Sequence, residues 1–202
     1  DEWVANALTV REFSENSYFL FTTKQGMVKR SSASLYARCR KSGMIALGLK
    51  EGDQLIAVRE VTDSDHVVLA TAHGMAIRFA MPDVRPMGRS ASGVKGIGLR
   101  RGDEVVACVT VKDGDSSTMI MTVSALKRTK IDLYRMQSRG GIGLINFKVS
   151  PKTGSVIGAM PVSDTDSLIL LTSTNKIIRM GVDEIRSVGR ATIGVRLVKL
   201  DD

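Results

Sequence analysis

The sequence predicts an all-β protein, a propeller-like disc of four-stranded blades with about fifty residues per repeat. Three observations predict it. Marker residues recur in one order at intervals near fifty. Short apolar runs alternate with turn residues. No stretch keeps a helical apolar period over about twelve residues.

The chain has 202 residues, with 43% apolar and 25% charged, which is ordinary for a globular protein and excludes a disordered tail. The longest run of Leu, Ile and Val is Leu168 to Leu171, against the ~20 apolar residues that a membrane-spanning helix needs. The first residue is Asp and no apolar leader follows, so the expectation is a piece of a longer cytoplasmic protein. Cys39, Cys108, His66 and His73 stand apart from one another, which excludes a disulfide framework and a zinc site by spacing.

The elements follow in order. Residues 1–13 include Trp3 to Val10, an apolar stretch that resembles the last strand of each later unit and is expected to pair as a strand in the first blade. Four repeats are expected at 14–61, 62–111, 112–162 and 163–202. Each opens on an apolar run: Tyr18 to Thr22, His66 to Thr71, Thr118 to Val123 and Ser167 to Thr172. A hairpin turn comes next, centred on Gly26, Gly74, Ala125 or Asn175. Gly and Asn suit a positive φ; Ala125 does not, so the third turn should differ in type. The second strand holds a basic residue, ending at Arg30, Arg78 and Arg179, while the third copy places Lys127 and Arg128 one step away. Marker glycines Gly48, Gly98, Gly143 and Gly194 come later, 50, 45 and 51 residues apart. Closing strands begin at Leu55, Val105 and Val156. The segments 34–40, 83–87, 131–136 and 182–187 are long enough for one helical turn each.

Charge follows the repeat. Net charge is +8. The stretches 24–41, 72–101, 123–148 and 173–199 hold 24 of the 29 Lys and Arg and only 4 of the 21 acids. Equivalent segments of a radial repeat occupy equivalent positions, so the bases are expected to form a continuous rim. Such a stripe is the footprint of phosphate binding. Aromatic residues make up only 4%, too few for the stacking platforms of single-strand binders.

Catalysis finds no support. Gly96, Gly98 and Gly102 miss the dinucleotide spacing, no phosphate-binding loop occurs, and the two histidines have no nucleophile beside them in a motif. Asp53 and Asp103, each after a glycine, read as turn residues at equivalent repeat positions.

Several of these segments carry a resemblance to a family. Val84-Arg-Pro-Met-Gly-Arg89 leading to Ser92–Gly98, Lys127–Thr129 leading to Gln137–Gly143, and Ile185–Arg190 leading to Gly194–Arg196 resemble repeats of the C-terminal domain of the DNA gyrase A subunit. The resemblance covers the whole chain. It implies a β-pinwheel, in which neighbouring blades exchange a strand and DNA wraps around a basic rim. Such domains usually have six blades; this chain matches the later four. The family's heptapeptide box, Gln-Arg-Arg-Gly-Gly-Lys-Gly, has an interior echo at Gln137–Gly143, with Ser138 and Ile142 at the two departures.

The resemblance implies a non-catalytic DNA-wrapping domain that supports ATP-dependent negative supercoiling. The parent would be a bacterial, cytoplasmic, nucleoid-associated type II topoisomerase (an isomerase), a heterotetramer of two A and two B subunits. No cofactor is expected in this chain; ATP and Mg2+ would act elsewhere in the parent. The DNA-contacting residues expected are Lys29, Arg30, Arg38, Arg40 and Lys41 in the first repeat, and Arg78, Arg85, Arg89 and Lys95 in the second. Lys127, Arg128, Lys130 and Arg139 follow in the third, and Lys176, Arg179, Arg186 and Arg190 in the fourth. Two alternatives remain open at this point: the topoisomerase IV counterpart, and a propeller-like interaction module with an acidic protein partner.

Overall fold

The structure is a computed structural model that describes residues 4–112, 117–122, 124–173 and 175–196. Three four-stranded antiparallel sheets and one two-stranded sheet make up the described chain. The first sheet joins β1 (Tyr18–Thr23), β2 (Met27–Ser32), β3 (Leu55–Val61) and the two-residue β6 (Val94–Lys95) in the order β3-β1-β2-β6. The second joins β4 (His66–Thr71), β5 (Met75–Ala80), β7 (Val105–Val111) and β10 (Leu144–Ile145), and the third β8 (Ser117–Thr122), β9 (Ala125–Lys130), β11 (Val156–Val162) and β14 (Val195–Arg196). The fourth is the hairpin β12 (Ser167–Leu171) and β13 (Ile177–Gly181). Three single 3-10 turns, Ala33–Tyr36, Met81–Asp83 and Ile131–Leu133, are the helical content among the described residues.

Local chemistry builds each hairpin. The threonine that ends the first strand accepts through Oγ1 a backbone N–H across the turn: Met27 to Thr23 and Met75 to Thr71 at 3.1 Å, and Ala125 to Thr122 at 2.9 Å. Gly26, Gly74 and Asn175 hold φ of 81°, 81° and 62°, as the turn type requires. The third hairpin differs, and the expected turn centre is corrected. Ala125 is the first residue of β9, so its turn is one residue shorter and needs no positive φ there. That deletion shifts Lys127 and Arg128 one step relative to Thr122 while keeping them in register with Lys29 and Arg30. Asp53 and Asp103 staple the hairpins to the closing strands. Asp53 Oδ1 accepts the N–H of Gln25 and Gln54, and Asp103 Oδ1 those of His73 and Glu104.

The fourth strand of each complete sheet comes from the next repeat. Val28 pairs with Val94, Ala76 with Leu144 and Leu126 with Val195. Each exchanged strand is preceded by a glycine with φ between 70° and 85°: Gly93, Gly143 and Gly194. These glycines lie against the carbonyls of Val28, Ala76 and Leu126, where a Cβ would stand 2.4, 2.3 and 2.6 Å from the oxygen. Only glycine satisfies both the conformation and the approach. The markers read from sequence are therefore corrected: Gly43, Gly93, Gly143 and Gly194 are the equivalent set, 50, 50 and 51 residues apart. Gly48 and Gly98 belong to a second position five residues on, where their N–H groups bond Ala91 O and Gly141 O of the next repeat.

The core lies between adjacent sheets. Leu20 and Val28 of the first sheet pack with Leu69, Ile77 and Phe79 of the second. Val68 and Val109 of the second pack with Ile131 and Tyr134 of the third repeat. Each such side chain contributes about 1.5–3 kcal/mol by leaving water.

Residues 4–10 do not form a strand, and Val4 is 87% exposed. Both sides of β1 are taken by β2 and β3, so the closing-strand place beside β1 is already filled by β3. Its end still packs, with Val10 against Phe19 and Phe21. Trp3, Val123 and residues 197–202 lie outside the described residues.

Replacing Gly143 by Ala is expected to destabilise the chain by about 2 kcal/mol or more, from positive-φ strain plus a backbone clash. Gly88, whose Cβ would meet nothing within 4 Å, should tolerate Ala within about 0.5 kcal/mol. Urea unfolding of both variants checks the contrast.

Candidate nucleic-acid interface

In the second, third and fourth repeats the loop between the single turn after the hairpin and the exchanged strand positions the arginines. The turn closes by a backbone bond from Val84 to Met81, Tyr134 to Ile131 and Ile185 to Val182, at 2.9, 2.9 and 3.1 Å. This buries Val84, Tyr134 and Ile185 and leaves the next residue, Arg85, Arg135 or Arg186, exposed. Two residues on, Met87, Gln137 and Val188 donate N–H to the carbonyls of Arg30, Arg78 and Arg128 in the preceding blade, at 2.8–2.9 Å. Arg89, Arg139 and Arg190 follow, half-exposed. Three consecutive repeats thus present an arginine pair, 85/89, 135/139 and 186/190, anchored by the same backbone bond. Arg135 was not among the residues expected from sequence. Its signal was present, since an apolar residue precedes Arg at 84–85, 134–135 and 185–186.

The seventeen expected residues do not share one environment. Arg38, Arg40, Lys41, Arg85, Lys95, Lys130, Lys176, Arg179 and Arg186 are exposed. Arg38, Arg40 and Arg89 line one groove of about 640 Å³, between the loops of the first and second repeats. Arg139 bonds the carbonyls of Asp83 and Lys95 and Arg190 that of Ile145, so part of each guanidinium serves the blade junction.

Four residues expected on the rim are interior: Lys29 and Lys127 are 0% exposed, Arg30 3% and Arg128 9%. Arg30 donates to Met81 O at 3.1 Å, pairs with Asp63 and lies 3.9 Å over the Tyr18 ring. Arg128 pairs with Asp164. Arg78 is half-buried and reaches Ile131 O at 3.1 Å and His66 Nδ1 at 3.0 Å; burial lowers its pKa. The strands that hold these residues are covered on both faces and both edges, so neither side of the pleat reaches water. Long cationic side chains then meet backbone carbonyls instead of solvent.

Among the described residues, neither buried lysine has a carboxylate partner. Lys29 Nζ donates to Ala46 O and Arg89 O, and Lys127 Nζ to Asn146 O, Gly189 O and Arg190 O. Burial, and secondarily the positive charge of Arg89 or Arg190, brings their pKa values down to about 8 and about 7. A folded pKa below the unfolded 10.5 means that the unfolded chain holds the proton more tightly. Stability contributed at Lys127 therefore rises with pH between about 7 and 10.5. Urea melts of the native chain and of Lys127→Ile at pH 6.5 and 9.5 should show the native chain gaining on the variant as pH rises.

Comparison with known proteins agrees with this geometry. The family described as DNA gyrase C-terminal domain, beta-propeller, matches residues 17–62, 65–112, 126–163 and 166–202. The chain is 66% identical to the DNA gyrase A subunit of Lawsonia intracellularis over 205 aligned residues, which cover 100% of the chain and 25% of that protein. It is 41% identical to the gyrase A subunit of Staphylococcus epidermidis, over 100% of the chain and 23% of that protein. The chain thus spans about a quarter of the length of these relatives. Among solved structures it is similar to the C-terminal domain of DNA topoisomerase IV, with a TM-score of 0.88 and 28% identity over 96% of this chain and 61% of that one. It is also similar to the DNA gyrase A C-terminal domain, with a TM-score of 0.84 and 26% identity over 95% and 64%. With arginine loops set by strand exchange in repeat after repeat, the chain belongs to the family of β-propeller C-terminal domains of DNA gyrase.

Proposed function

We propose that this chain binds duplex DNA through phosphate contacts and bends it along successive blades, as the wrapping domain of a gyrase A protein. The observation that supports this most is the arginine pair 85/89, 135/139 and 186/190, repeated at intervals of 50 and 51 residues. Equal intervals in a strand-exchanged repeat set like charges at like positions. A polyanion with regularly spaced phosphates matches that array better than a small acidic ligand does. In the parent assembly, two A and two B subunits, the bent DNA would be presented for ATP-dependent negative supercoiling in the cytoplasm. Cleavage and nucleotide chemistry fall to other segments, and this chain needs no cofactor for its share.

Magnitudes are compatible. Bending 20–30 base pairs by 40–90° costs on the order of 1–6 kcal/mol. About two charge-assisted contacts per blade offset such a cost. The contacting set is narrower than the basic stretches suggest. Exposed Arg85, Arg135, Arg186, Lys95, Lys130, Arg38 and Arg40, with half-exposed Arg89, Arg139 and Arg190, reach phosphate, whereas Lys29, Arg30, Lys127 and Arg128 act within the blades.

With about two phosphates per blade over four blades, log K against log salt should fall with a slope of roughly −7. Changing Arg85, Arg135 and Arg186 together to Ala should flatten the slope by up to ~3 and weaken all sequences alike. Changing Arg11, Lys50 and Lys152, exposed residues outside the basic stretches, should do much less. Equal losses in the two triple variants would sink the geometric part of the proposal. Absence of salt-dependent DNA binding would favour an acidic protein partner instead.

A further inference from the structure

The position of the buried lysine alternates along the repeat. Lys29, Ile77, Lys127 and Ile178 are equivalent, in register on the second strand of each hairpin. The loops that arrive from the next repeat alternate with them. Ser90 and Ala91 follow Arg89, whose carbonyl Lys29 holds; Gly140 and Gly141 stand at the same loop positions opposite Ile77; and Ala191 and Thr192 follow Arg190, whose carbonyl Lys127 holds.

Each combination satisfies the same backbone group by a different route. At blades one and three the carbonyls of Ala46 and Asn146 accept from the lysine ammonium, which also holds Arg89 O or Arg190 O of the incoming loop. At blade two the equivalent carbonyl, Gly96 O, accepts the N–H of Gly140 directly at 2.7 Å. That direct bond uses a loop with Gly140 at φ 85°, and Gly141, where a Cβ would lie 3.8 Å from Ile77 Cδ1. Ser90 and Ala191 carry a Cβ and keep negative φ. They do not take the glycine conformation, and the ammonium spans the gap.

We infer that Lys29 and Lys127 are positioning residues: each buried ammonium fixes the arginine-bearing loop of the next repeat, the task that Gly140 and Gly141 perform where the lysine is replaced by Ile77. Neither lysine touches solvent, so each acts on DNA only through Arg89 or Arg190. This step rests on the DNA-binding reading above, but the loop positioning can be read without DNA.

The test uses the full 202-residue chain, Lys127→Ile, and Lys127→Ile combined with Ala191→Gly and Thr192→Gly. Amide exchange is followed at Val188 and Lys148, whose N–H groups bond Arg128 O and Thr192 O across the same junction. Lys127→Ile should lower protection there by about tenfold or more, as expected for losing a charged hydrogen-bond hub. It should also flatten the salt slope for duplex DNA by about one unit, and Arg190→Ala should add nothing to it. The triple variant should restore both protection and slope. Native protection in Lys127→Ile overturns the inference, and so does a triple variant no better protected than the single. If Lys127→Ile does not fold, the triple variant decides: native protection supports the inference and failure to fold overturns it. Restored protection without DNA binding by any version would remove the DNA reading and leave the positioning role standing.

Discussion

Every complete sheet in this chain depends on a two-residue strand supplied by the next repeat. Val94–Lys95, Leu144–Ile145 and Val195–Arg196 each fill the open edge of a hairpin in the preceding repeat. A blade is therefore no folding unit of its own. Its edge is closed, its face is covered and its loop is held only when its neighbour is in place, as in other repeat architectures where stability resides in the interfaces. The left-handed glycines at 93, 143 and 194 make the exchange sterically possible, because the incoming backbone turns directly against a carbonyl.

The exchange also explains why the chain is basic in the places it is. Strands of two residues satisfy few carbonyls, and the flanking loops cross blade boundaries without a regular ladder. Lys and Arg offer several donors and no acceptor, so they suit backbone carbonyls that lack a partner. Lys29, Arg30, Arg78 and Lys127 are used in this way, and Arg139 and Arg190 partly so, whereas Arg128 pairs with the Asp164 carboxylate. The remaining cations, outward on the same loops, keep their hydration and their reach. One compositional signal thus reports two physical tasks, junction building inside and charge display outside.

Much of the architecture was legible because the repeat is written in small residues with specific backbone demands. Thr23, Thr71 and Thr122 each accept a hairpin N–H through the hydroxyl, and Gly26, Gly74 and Asn175 take positive φ. These are local effects, visible within a single hairpin. The failures have one cause as well. Residues 4–10 have the pattern of a closing strand, yet pairing requires an edge, and whether one is free lies outside the segment. The marker glycines at 48 and 143 share a sequence context but not a position, because the chemistry that separates them is a contact with the next repeat.

Burial divides what sequence determined from what tertiary structure decided. Strand positions, hairpin turns, the fifty-residue period and the segregation of charge are set by φ preferences, apolar runs and composition, all properties of neighbouring residues. Which bases face water is not. Val28, Ala76, Leu126 and Ile177 occupy one equivalent position, yet Val28 is 0% exposed, Ala76 1%, Leu126 2% and Ile177 68%. The residues are similarly apolar; among the described residues, only the fourth hairpin receives no exchanged strand. Lys29 and Lys127 differ from exposed Lys95 in the same way, through the sheets and loops stacked around them. Accessibility depends on contacts between segments of different repeats, so only the assembled blades decided it.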